Sequence, residues 1–545
     1  MAHAILLLLI ITPKLMSKYL SFVKDHQSLW LILLVTFFSH SIIALIPPLQ
    51  GDEAYFWEWS RHLSLGYYSH PPMTGWLIAL ITSIFDVSKY TIRLTSILLH
   101  LITLCYVYLL ALETINSKKI ANVSVLLLAL MPLSLVFGTA ITTDSSLIAF
   151  YTVSVYYTRK AIILNDKKFW YLAAIFCGGM LLSKFMALLF FPGVFLFLTV
   201  NSKYRHLLLS KEPYLAAAIA LFLFSPFIYW NAQNDWLTVQ FNFFVRQKGQ
   251  SISWEKPFIY ILGQMAIAVP LLWILMLDVM IRNFKRFSKQ THSINNETQN
   301  RSASLLFLSY LVGFPLFFFL LISIKVRVGA HWAAIVYPSS CILISCWFFL
   351  IKGKIQPAIV RMKTFISSLV FAGLILVIGI WVLIHPKSIM PDKYIYTPSL
   401  QDKQPILSHY YGWPEIGQHI SKLEQEWRAK PEGFFFTSKD YSLASTLAFY
   451  APTHPQFYLM NFPRDGIHGK DFLIWEKSKK KPGANTIYIT DTKNSYQNRL
   501  SGFFEKLKEL PPFVVRDDDG RILRIFYLTL GLNYLGGEPD NLSIF

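Results

Sequence analysis

Eleven stretches of the chain run almost without a polar interruption, at about residues 28–47, 90–112, 120–138, 144–162, 169–182, 185–200, 213–230, 257–281, 303–324, 332–350 and 364–385. A helix needs roughly 20 apolar residues to cross a bilayer core of ~30 Å, so most of these have the length of a membrane span or nearly so. The run at 73–85 is shorter and reads as an interfacial or partial span. The run of about eight apolar residues in MAHAILLLLIITPK is too short to cross, and it lacks the basic start and small-residue cleavage site of a signal peptide.

After residue 385 the pattern changes to short apolar runs broken by turn residues. GFFFTS (433–438), QFYLM (456–460) and TIYITD (486–491) read as strands. DYSLASTLAFYA (440–451) and FFEKLKEL (503–510) read as helices, and VVRDDDGRILRIFYL (514–528) as a hairpin turning at Asp-Gly. Residues 1–385 thus form a membrane unit, with its first loop at 48–90, and 386–545 a soluble α/β unit.

Composition agrees with that division. Charged residues make up 15% of the chain against 54% apolar, where soluble domains carry roughly 25% charged residues. The net charge of +19 is concentrated in residues 1–385, which hold 30 Lys and Arg against 13 Asp and Glu; residues 386–545 hold 20 against 18. The excess therefore belongs to membrane topology and anionic-lipid contact rather than to nucleic acid. With the N-terminus in the cytoplasm, one set of connections carries 21 basic residues and the opposite set seven. This positive-inside bias puts the first loop and the C-terminal unit on the outer face. The four cysteines all lie in apolar runs, so the C-terminal unit has no disulfide of its own. KSKKK (477–481) reads as solvated surface.

Polar groups at span ends are functional candidates. The outer-face set comprises Asp52, Glu53, Glu58, Arg61, His62, His70, Asp144, Lys184, Arg246, Lys248, Lys325, Arg327 and His331. Two carboxylate positions facing several cations suit a substrate with a proton to be removed and a phosphate to be held. Each has a plainer reading. Asp52 and Asp144 can cap helices, Lys184 can snorkel to the interface, Arg327 and His331 can anchor a span, His70 can pack in a turn, and Arg246 with Lys248 reads as a solvated loop. No Rossmann glycine pattern, P-loop or 20–50-residue repeat is present.

The block GDEAYFWEWSRHLSLGYYSHPPMTGWLI resembles the first outer loop of bacterial GT-C glycosyltransferases of the protein-mannosyltransferase-like group. It is closest to glycosyltransferase family 83, which includes the aminoarabinose and galacturonic-acid transferases of lipopolysaccharide. TTDSSLIAFYTVSVYY, LLSKFMALLFFPGVFLFL, FIYWNAQNDW, VRVGAHWAAIVYP, GWPEIGQHI and KDYSLASTLAFYAP resemble further motifs of that family, in the same order. The resemblance implies a mainly α, polytopic membrane protein of GT-C fold with about 11–13 transmembrane helices and a periplasmic α/β domain. It also implies a multi-pass bacterial inner-membrane enzyme that moves a sugar, with inversion, from undecaprenyl or another polyprenyl phosphate to lipid A or lipopolysaccharide core.

Under that resemblance Asp52 is the general base, with Glu53 and Asp144 as supporting acids. Lys184, Arg327, His70 and Arg246 fall to the donor phosphate, and Tyr55 and His331 to the substrate. Membrane lipids are partners, and nucleic acid is not. Aminoarabinose transferases have Glu-Lys before the paired prolines, where this chain has Ser69-His70. The change removes a metal-binding carboxylate, so no required metal is expected, although His70 can still meet a phosphate or join another histidine on a divalent metal. The rival readings are a protein O-mannosyltransferase and, among non-enzymes, a lipid flippase or transporter. The latter class favours repeats and charged or broken helices at mid-bilayer, and the sequence signals neither.

Overall fold

The computed structural model describes residues 25–49, 51–248, 250–287, 296–350, 358–385, 387, 390–400, 402–460, 469–476, 482–493 and 500–537. The N-terminal apolar run and the KSKKK stretch lie outside the described residues.

Each of the eleven apolar segments folds as helix. In order they are Gln27–Leu45, Lys89–Ile115, Lys118–Leu130 running on into Pro132–Phe137, Thr143–Ile163, Lys168–Leu181, Phe185–Leu189 running on into Phe190–Val200, and Glu212–Gln233. Glu255–Ala268 with Pro270–Phe287, Asn296–Ser323, Ala330–Val336 with Tyr337–Leu350, and Ala358–Ile384 complete the set. The residues between 73 and 85 form a further short helix, Met73–Ile84. Among the described residues, five helices are long and apolar enough to cross a membrane unaided, six if the pair around Val269 counts as one span. That is fewer than the eleven expected, because several segments, such as Lys168–Leu181, are shortened by breaks. Buried Leu, Ile, Val and aromatic residues fill the middle of the bundle, while Leu31, Phe38, Phe222 and Ile378 stand exposed on its outside. An apolar exterior of this kind belongs to a multi-pass membrane protein.

One break contradicts the sequence reading. Residues 257–281 were expected as a single straight span, with no broken helix in the bundle. Instead the chain bends by 104° between Ala268 and Pro270. Proline has no N–H for the ladder and crowds the preceding turn, and Val269 takes a left-handed φ of 70°, uncommon for a β-branched residue. The bend carries no charged side chain, so it offers a transported solute no ionic ligand.

Beyond the bundle, a six-stranded sheet runs in the order β2 (Phe457–Leu459), β1 (Phe434–Ser438), β3 (Asn485–Thr490), β6 (Ile522–Tyr534) and β4 (Phe504–Glu509), with β5 (Phe513–Arg516) paired to β6. β1 is parallel to both β2 and β3, and β6 is antiparallel to β3, β4 and β5. The expected strands, the helix Tyr441–Tyr450 and the hairpin are all present. FFEKLKEL is not a helix, however; it is β4. Its apolar residues at 503, 504, 507 and 510 have helical spacing, but the 13-residue β6 presents backbone along residues 529–534, and pairing with that edge overrides local preference.

The sheet and its helices share one core with the first loop. Ala54, Tyr55, Phe56, Trp57, Trp59 and Tyr67 pack with Trp413, Ile416, Leu443, Leu447, Phe449 and Phe472. Each buried aromatic contributes on the order of 1.5–3 kcal/mol. Close approach is enforced at Gly417 in the helix Trp413–Arg428, where a Cβ would stand 2.1 Å from the Tyr450 carbonyl oxygen. The first loop thus belongs structurally to a cap over one end of the bundle.

Candidate active site

The acidic pair of the first loop splits between two environments. Gly51 caps the helix Asp52–Arg61, and no side chain completes that cap. Asp52 is exposed and its Oδ1 accepts a hydrogen bond from Tyr441 of the cap at 2.9 Å. Glu53 turns the other way into a paired contact with Arg93, which also donates to the carbonyls of Ala44, Pro47 and Pro48. Glu53 Oε1 further accepts the Ile141 amide at 3.1 Å. Glu53 therefore ties the first loop to two helices and the 138–142 turn.

Asp144 is not a helix cap either. Thr142 holds that position, and its backbone N–H donates to Ser145 Oγ at 3.3 Å. The Asp144 side chain is free to reach Lys184, whose Nζ donates to Oδ2 at 2.7 Å with both groups buried. Lys184 sits in extended backbone between the helix Lys168–Leu181 and the turn Phe185–Leu189. It fills a break in the bundle rather than snorkelling. His331 Nε2 lies 4.0 Å from the same Asp144 oxygen. Asp144 Oδ1 is buried with no hydrogen-bond partner among the described residues, and a buried acceptor left unmatched is costly.

Arg246 completes the cluster. It is no solvated loop residue: its guanidinium lies 5.0 Å over the Trp332 ring, a cation–π arrangement. Burial pulls its pKa down, while Asp52, Asp144 and Tyr441 pull against that. His331 feels Lys184, Asp144, Arg246 and Asp52 together. Carboxylates and cations from five separate connections therefore share one electrostatic neighbourhood under the cap. Lys248 and Arg327 are exposed at the rim, and the Arg327 amide donates to Gln250 Oε1 at 2.7 Å.

One other expected site residue is used otherwise. Tyr55 is fully buried and its hydroxyl donates to Asp471 of the cap, leaving no free group for a substrate. Asp471 also accepts the Tyr68 amide at 2.6 Å, and burial pushes its carboxyl up to about 6. His70 lies in the turn beneath Trp59, with ring centroids 6.4 Å apart, and its carbonyl accepts the Tyr67 amide. That turn is clamped to the Lys184 break by the Met73 amide on the Leu182 carbonyl, and to the Arg246 segment by Asn242 on the Ser69 carbonyl. Sequence reasoning missed Arg93 and Tyr441. A lone arginine at the start of an apolar run was a legible signal for the first, whereas the second lies in the family-like segment KDYSLASTLAFYAP, which marked the helix but not a role for its tyrosine.

Residues 69–230 match the family described as dolichyl-phosphate-mannose-protein mannosyltransferase. The chain is 24% identical over 383 residues to the lipid A galacturonosyltransferase RgtD of Rhizobium johnstonii, covering 68% of this chain and 72% of that one. Its fold is similar to ArnT from Cupriavidus metallidurans, solved both in the apo state and bound to undecaprenyl phosphate. Each comparison has a TM-score of 0.56 at 15% identity and covers 91% of this chain and 97% of ArnT. The chain is therefore a membrane glycosyltransferase with the ArnT-like GT-C fold.

Proposed function

We propose that the protein transfers a sugar from a polyprenyl-phosphate donor, undecaprenyl phosphate being the carrier, to lipid A or lipopolysaccharide core at the outer face of the bacterial inner membrane. The observation that carries this reading is the joint placement of Asp52, Arg246 and the Asp144–Lys184 pair where the bundle meets its cap. A donor whose tail stays in lipid and whose phosphosugar sits at the interface needs charges at that level. The orientation rests on the positive-inside bias, with the cap in the periplasm.

In the proposed reaction the acceptor oxygen attacks the anomeric carbon from the face opposite the phosphate, and its proton passes to Asp52. The bond from the anomeric carbon to the phosphate oxygen breaks, its electron pair leaves with the lipid phosphate, and the configuration inverts. Lys184 and Arg246, with Arg327 at the rim, neutralise the charge gathering on that phosphate. Removing one such group typically costs about 10²–10³ in rate. Glu53 keeps the loop carrying Asp52 in place, and Asp144 holds Lys184. His331 lines the acceptor side. Ser69 supplies no carboxylate, so the residues present do not fit a required metal.

The test is transfer by purified protein from an undecaprenyl-phosphate sugar to lipid A, with galacturonic acid, the sugar of the Rhizobium relative, tried first. Asp52→Asn is expected to abolish transfer while leaving the fold intact; near-normal turnover would overturn the base assignment. The family match over residues 69–230 favours a second reading, transfer to a protein hydroxyl. A Ser/Thr peptide run beside lipid A separates the two. Mass spectrometry of lipid A and core from cells with and without the gene would identify the sugar and its attachment.

A further inference from the structure

Asp52 approaches the site with one oxygen already engaged. The Tyr441 hydroxyl donates to Oδ1 at 2.9 Å, and among the described residues Oδ2 has no hydrogen-bond partner. Tyr441 comes from the cap, nearly 400 positions further along the chain. Asp440, the N-cap of the helix Tyr441–Tyr450, accepts the Leu443 amide at 2.9 Å and so fixes where Tyr441 begins that helix.

Its ring is wedged from two directions. Tyr55 packs against it with centroids 4.6 Å apart at 55°. On another side Gly469 takes a φ of +83°, and a Cβ there would fall 2.3 Å from the Tyr441 Cβ. Only glycine leaves the ring room and accepts that backbone. Tyr55 is itself immobilised by its hydroxyl on buried Asp471. The contacts alternate between cap and first loop, as Asp471, Tyr55, Tyr441, Asp52.

We infer that Tyr441 is the positioning residue for the proposed base: it fixes the Asp52 carboxylate in one orientation, leaves Oδ2 to receive the proton, and makes the cap part of the active site. The inference rests on the reading of Asp52 as base. A hydroxyl donating to a carboxylate favours its charged form. Burial, then Asp52, pushes the Tyr441 phenol upward, so it remains a donor over the working range. The other charged groups that interact with Asp52 are Arg246 and His331, which also feel Asp144, and Tyr441→Phe leaves them in place.

The experiment compares full-length wild type, Tyr441→Phe and Asp52→Asn, using undecaprenyl-phosphate galacturonic acid and lipid A. Tyr441→Phe is expected to lower kcat by about 10- to 100-fold, with the KM for the donor within about 3-fold of wild type. The acid limb of kcat/KM should move to higher pH, because the carboxylate has lost a donor. The position of that limb does not depend on the fraction of active protein, so it remains decisive even if the variant folds less well. An unmoved limb with wild-type kcat overturns the inference while Asp52 keeps its role. Activity surviving in Asp52→Asn overturns the base assignment itself.

Discussion

Glu53 and Arg93 are joined by two parallel hydrogen bonds, Nε to Oε1 at 2.9 Å and Nη2 to Oε2 at 2.5 Å. Both side chains are largely buried, and Arg93 also serves three backbone carbonyls at the end of the first membrane helix. Removing one member of a buried pair costs about 3–5 kcal/mol, because the other is left uncompensated. Arg93→Met and Glu53→Gln should each lower the unfolding temperature in detergent, whereas Asp52→Asn should not. If Glu53→Gln unfolded like wild type yet lost turnover, Glu53 would act in the chemistry rather than hold the loop.

Lys184 and Asp144 form the second buried pair, 2.7 Å apart. Lys184→Met removes the cation proposed for the donor phosphate and strands Asp144. Donor affinity should fall by about 10-fold or more, as read by titration with undecaprenyl phosphate alone. Lys184→Met with Asp144→Asn should recover unfolding temperature but not affinity, since the stranded charge is gone and the phosphate contact is still missing. Unchanged affinity in the single variant would remove Lys184 from the donor site.

The elements were legible because continuous apolar runs and alternating short ones are local signals. All eleven runs became helices, and three of the strands were read where they lie. What failed depended on distant partners. The 503–510 segment became a strand because β6 offered it an edge. Pro270 breaks the helix at Val269, but a single proline inside so long an apolar run was not read as a break. In the candidate site, GDEAYFWEW pointed to the loop that carries Asp52, but the sequence could not divide its two acids. Arg93 claims Glu53 from 40 positions away and Tyr441 claims Asp52 from 389. The resemblance gives Tyr55 to the substrate; the helix turns its ring into the core instead.

Ser69 and His70 bear on metal use. Ser69 is buried and offers no carboxylate, and its carbonyl is engaged by Asn242. Hard divalent cations take oxygen ligands, chiefly carboxylates. Turnover is expected to stay within about 2-fold after EDTA treatment and removal of the chelate, a small effect beside the tenfold steps that separate real ligand losses. Loss of activity restored by a divalent cation would show a metal site built from other groups.

Glu58 gives a pH signature to the joint between first loop and cap. It is buried, its Oε1 accepts from Arg61 at 2.9 Å, and Arg61 in turn donates to the His454 carbonyl of the cap at 2.8 Å. Burial pushes the Glu58 carboxyl up to about 7 although the Arg61 guanidinium pulls it down. Its folded pKa thus lies above its unfolded value of 4.5, so folding favours the protonated form. That contribution is complete below about pH 4.5, declines as pH rises, and is gone above about 7, an amplitude of roughly 3 kcal/mol. Glu58→Gln cannot ionise and should lack this slope. Unfolding temperatures measured in detergent from pH 4.5 to 8 should show the variant gaining on wild type as pH rises. Parallel curves would mean that Glu58 stays ionised in the folded protein, its charge held by Arg61.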